Sequence, residues 1–168
     1  MSAPRTLVAG VGNIFFSDDG FGVEVVHALV GYPEVNGIKV ADYGIRSMHL
    51  AYEMIAGYDV VIIVDAVHRD GEPGTIYMLE PSTTRVTSRT PDAHSMELEQ
   101  VFAMAGALGE PLPKTIVIGC EPACINEGIG LSGVVQQAVP VAATLIANLI
   151  TRHGKRIAGT PATTEAQT

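Results

Sequence analysis

Tryptophan is missing from this chain, and Phe and Tyr together make up only 5% of its 168 residues. A core built on stacked rings is thereby excluded, and the buried mass must come from aliphatic side chains. Basic residues are scarce: ten Lys and Arg stand against 18 Asp and Glu, a formal net charge of −8. No basic run occurs, so nucleic acid and anionic membrane are excluded as expected partners on electrostatic grounds. The only cysteines are Cys120 and Cys124, too few for a disulfide framework. No apolar stretch reaches about 18 residues without a break. Residues 1–6 are too short to be a signal peptide ahead of the first apolar run. The expectation is a cytoplasmic protein with reduced thiols.

What is present points to an α/β fold. Hydrophobic residues make up 47% of the chain and glycine occurs 18 times, which suits buried aliphatic strands joined by tight turns. A chain of this length suits one domain and buries roughly 70% of its unfolded surface without help from disulfides or metal. The expected architecture is a three-layer α/β/α sandwich around a mainly parallel, five-stranded twisted sheet. Strands are predicted at 7–12, 38–41, 59–65, 75–79 and 115–120, and helices at 18–30, from 47 to Gly57, 95–108 and 133–152. Asp18 or Ser17 is the candidate cap of the first helix and Ser47 of the second. Pro140 predicts a kink or break in the last helix. The stretch from 65 to 74 is too short for a crossover helix, so the fourth strand is expected antiparallel to the third. The domain is expected over 1–154, with a disordered tail over 155–168.

Ligands of open α/β sheets sit beyond the carboxyl ends of the strands. Asn13, Asp18 and Asp19 follow the first strand, Asp42 the second and Asp65 the third. His94 precedes the third helix, and Glu121 follows the last strand. Carboxylate with imidazole is a ligand set for zinc, nickel or a similar divalent ion. A histidine at a helix start is favoured in the neutral form that binds metal. These residues point to a site of Asp19, Asp65 and His94 with open coordination positions. Plainer readings stand beside it: a first-turn aspartate for Asp19, a turn acceptor for Asp65, a surface histidine for His94. Asp18 reads as a cap rather than a ligand. His27, His49, His68 and His153 read as solvated or structural, without a second ligand.

Other chemistries fit less well. A dinucleotide fingerprint needs Gly-x-Gly-x-x-Gly, but Phe15 takes the third glycine position and two aspartates open the helix where pyrophosphate would lie. Gly-Lys-Ser/Thr and Gly-x-Ser-x-Gly motifs are absent. Cys120 and Cys124 do not form Cys-x-x-Cys; they read as a buried strand residue and a loop thiol.

Gly10-Val11-Gly12-Asn13 followed by Asp18-Asp19-Gly20-Phe21-Gly22 resembles the N-terminal signature of the hydrogenase maturation proteases. Asp65 at the end of the third strand, Asp92-Ala93-His94-Ser95 before a helix, and Gly119, Pro122 and Gly128-Ile129-Gly130-Leu131-Ser132 extend the likeness over roughly residues 5–150. The resemblance implies an endopeptidase that removes a short C-terminal peptide from the nickel-loaded precursor of a [NiFe] hydrogenase large subunit, just beyond its Cys-x-x-Cys motif. It implies that Asp19, Asp65 and His94 are the three metal-contacting positions, and that the nickel is the substrate's, with no resident cofactor. The family often has Glu where Asp19 stands. It often has Asp-x-Gly-Thr where this chain has Asp42-Tyr43-Gly44-Ile45, a region linked to partner choice. A non-catalytic nickel-checkpoint module and a nucleotide-binding oxidoreductase are the alternatives.

Overall fold

The computed structural model describes residues 4–29, 37–81 and 93–158, with the side chains of 93–97 and 154–158 outside that description. In chain order the elements are β1 (Thr6–Val11), a 3-10 turn (Ser17–Gly20), α1 (Phe21–Ala28), β2 (Ile38–Gly44), α2 (Ser47–Met54), β3 (Val60–Ala66), β4 (Ile76–Leu79), α3 (Ala93–Ala107), β5 (Lys114–Cys120) and α4 (Gly133–Ala158). The sheet order is β2-β1-β3-β5-β4. All neighbours are parallel except β4, which runs antiparallel to β5. The fourth strand therefore has the expected direction, but β5 lies between it and β3. β3 is buried at all seven positions and needs a strand on each side, whereas the half-buried β4 suits an edge.

Alternation along the strands sorts two aliphatic layers. Val60, Ile62 and Val64 face α1 and α4 through Val25, Val135 and Ile146. Val61 and Ile63 face α2 and α3 through Leu50, Met54, Val101 and Ala105. The result is the expected sandwich.

Several local expectations give way. Neither Asp18 nor Ser17 caps α1. Both lie in the 3-10 turn, and the α1 cap position is Gly20, with no side-chain bond. Ser47 is the first residue of α2, after Arg46 at the cap position. α4 runs unbroken through Pro140. The proline lies on the exposed face, where water can satisfy the carbonyl it leaves unbonded. α4 also continues to Ala158, so 155–158 are helical; 159–168 lie outside the described residues. By length and composition Gly133–His153 could cross a membrane, but its stripe of Val135, Ala138, Val139, Ala142, Ile146, Leu149 and Ile150 is buried in the core with α1 and the sheet.

Candidate active site at the carboxyl rim of the sheet

The first glycine turn exists to bring three backbones together. Gly12 has φ of 126°, and a Cβ there would overlap the Asp19 carbonyl oxygen. A Cβ on Gly22 would overlap the carbonyl oxygens of both Val64 and Val11. Glycine at these positions lets the start of α1 press onto β1 and β3. The loop then folds on itself: the Asn13 carboxamide accepts the Phe15 N–H at 3.0 Å, and the Asn13 N–H donates to Asp19 Oδ2 at 2.8 Å.

Asp19 is thus buried in the 3-10 turn that follows β1 and packs directly on β3. Asp65 is buried near the end of β3, beside β1 in the parallel sheet. It continues the alternation of Val61 and Ile63, so it belongs to the face covered by α2 and α3. His94 is the second residue of α3, but its side chain lies outside the described residues. Fifteen helical residues span about 22 Å and the seven of β5 about 23 Å. α3 leads back to the start of β5, so a helix of this length can return its first turn toward the carboxyl rim. Two buried carboxylates supply oxygen donors suited to a divalent ion. Among the described residues, no three His, Cys, Asp or Glu side chains gather to hold a metal.

The other rim residues have structural tasks. Asp18 is fully buried and accepts four hydrogen bonds from one distant loop: the amides of Ala123, Cys124 and Ser132 at 2.7–3.0 Å, and the Ser132 hydroxyl at 2.9 Å. Glu121 is buried as well. It takes the His68 ring at 2.7 Å, the Arg69 amide at 2.8 Å and the Tyr77 hydroxyl at 2.9 Å. Burial alone would raise the Glu121 carboxyl, but these donors hold it below the ordinary glutamate range. His68 thus has a structural partner in Glu121, and His27 stands 3.4 Å from the Asp42 carboxylate. Both contacts come from residues distant in sequence, which no local spacing signals. Cys120 is buried in the core, and burial, with the Asp18 and Glu121 charges, pushes its thiol up to about 12. Neither it nor half-buried Cys124 forms a disulfide.

Residues 23–149 match the model of a family described as hydrogenase maturation protease. This chain belongs to that family. As a hydrogenase maturation endopeptidase it is 31% identical to the hydrogenase 2 maturation protease of Escherichia coli over 138 residues, 80% of this chain and 84% of that one. It is 27% identical to the hydrogenase expression/formation protein HupD of Rhizobium leguminosarum bv. viciae, across 95% of this chain and 80% of that protein. The solved structure of the E. coli hydrogenase maturating endopeptidase HybD superposes with a TM-score of 0.76 at 30% identity, covering 89% of this chain and 94% of that one. Some relatives are longer: the chain spans 58% of the HupD of Thiocapsa roseopersicina. Asp65 and His94 fall inside the family match, and Asp19 lies four residues before it.

Proposed function

We propose that this maturation protease removes the C-terminal peptide from the precursor of a [NiFe] hydrogenase large subunit, and that Asp19, Asp65 and His94 meet the nickel the substrate carries. The observation that carries the reading is the burial of two carboxylates close together in the fold: Asp65 near the end of β3, and Asp19 in the 3-10 turn that packs on β3. The donor set fits a borderline divalent ion presented from outside. Carboxylates and one imidazole leave coordination positions for the substrate's own ligands.

Water is the attacking group in this reading. Cys120 is buried with its thiol raised to about 12, and the Ser132 hydroxyl is committed to Asp18. Either Asp19 or Asp65 can take the proton of that water, and the bound ion would polarise the water or the scissile carbonyl. The acidic surface and free thiols fit a cytoplasmic site of action.

Incubation with nickel-loaded and nickel-free precursor, read as a C-terminal mass loss, tests the proposal. Cleavage of the loaded form alone is expected. Equal cleavage of both forms would overturn nickel recognition, and full activity in Asp19→Ala and His94→Ala would overturn the site.

A further inference from the structure

Large apolar side chains crowd the rim beside Asp19. Phe15 is 60% exposed and Ile129 is 79% exposed, and Ile14, Phe16 and Ile125 are exposed around them. They come from two segments more than 100 residues apart that run side by side. The Gly128 N–H donates to the Phe15 carbonyl at 2.8 Å, and the Ser17 N–H donates to the Gly128 carbonyl at 2.9 Å. The Ser17 hydroxyl donates to the Asn126 carbonyl at 2.8 Å, and the Asp18 N–H to the Cys124 carbonyl at 3.1 Å. Beneath them, the buried Asp18 carboxylate fastens Ala123, Cys124 and Ser132. Ser17 is held at φ of 51°, a conformation costly for serine, and its bonds to Gly128 and Asn126 keep it there.

Exposed rings on a loose loop would have to be ordered on contact. Here both backbones are already fixed, so burial of these side chains carries a small ordering cost. The same turn closes over the candidate catalytic carboxylate: the Asp19 N–H donates to the Phe16 carbonyl at 3.1 Å.

We infer that segments 14–16 and 125–129 form a rigid docking platform for an apolar stretch of the precursor protein adjoining its scissile bond. The inference rests on the reading of Asp19 as part of the active site. Charge selects the occupant. Exposed Glu127 stands between Ile125 and Ile129, and the whole chain carries −8. A second copy would bring two such surfaces, and two Glu127 carboxylates, into one interface. An apolar segment free of acidic residues meets no such penalty.

Cleavage kinetics on the nickel-loaded precursor test the platform, using Phe15→Ser, Ile129→Ser and Asp19→Asn, with circular dichroism to verify the fold and light scattering to give the mass. The exposed substitutions are expected to raise KM about tenfold while kcat stays within about twofold, and Phe15→Leu is expected to restore KM. Unchanged KM in both serine variants overturns the platform. A dimer that Ile129→Ser dissolves without moving KM assigns the surface to a second copy and likewise overturns it. Wild-type cleavage by Asp19→Asn overturns the site reading instead, and the KM shift of the serine variants still decides the platform.

Discussion

Glu121 couples the connection after β3 to the end of β5 through one carboxylate, with donors from His68, Arg69 and Tyr77. Its carboxyl is held below the ordinary range in the folded protein, whereas in the unfolded chain it returns to about 4.3. The unfolded state therefore binds the proton more readily. The stabilisation is complete above the unfolded value and is lost as pH falls through the folded one. Thermal unfolding of wild type and Glu121→Gln should show the largest gap in midpoint above about pH 5, closing as the pH is lowered. A gap that widens toward acid would contradict this pairing. Sequence order exposed Asp19 and Asp65 because each follows an apolar strand at a rim where α/β sites form. It could not expose what Asp18 and Glu121 do. Their partners are amides and rings brought together only by the fold, 114 residues away for Ser132 and 53 for His68.

At the scale of elements, runs of β-branched residues mark β3 and β5 and a largely apolar stretch marks β1, because strands buried on both faces must be mostly apolar. The place of β4 was not written in any local pattern. Its direction follows from a short connection, but its pairing with β5 depends on which strand the chain lays down later. Caps were illegible for a related reason: the cap position of α1 is Gly20, where a side chain would press on Ile14 of the preceding loop, and Asp18 and Ser17 are held in the 3-10 turn instead. Gly22 is the sharpest case. A methyl group there would overlap two carbonyl oxygens, one on β1 and one on β3, and neither backbone can retreat without disturbing its ladder. Gly22→Ala should therefore cost at the upper end of roughly 1–3 kcal/mol, measured by chemical denaturation. It should also depress precursor cleavage beyond what the stability loss explains, since α1 and the turn holding Asp19 would shift together. A variant as stable and as active as wild type would show that this approach is not tight in solution.

At the scale of the described fold, burial is distributed unevenly, and the proposed site draws on the most buried part. β3 is flanked by β1 and β5, covered by helices on both faces, and buried at every position. Asp65 is its penultimate residue, and the turn bearing Asp19 packs on it. β4 is four residues long, lies at the sheet edge, and leaves Met78 54% exposed. In the proposed site one carboxylate stands on this fully buried strand β3 and the other on the turn packed against it, an arrangement that holds both in place, and small misplacements at a reacting centre cost rate steeply. The same architecture orders the openings of the fold. Amides of β3 should exchange with solvent only through global unfolding, whereas those of β4 should exchange through local opening of the edge. Hydrogen exchange at increasing denaturant, resolved by peptide mass spectrometry, separates the two. β3 exchange should accelerate with the full denaturant dependence of unfolding, and β4 exchange should respond weakly at low denaturant. If β4 shows the same protection and the same dependence as β3, the sheet opens as one unit and the site owes its rigidity to the whole fold rather than to the central strand.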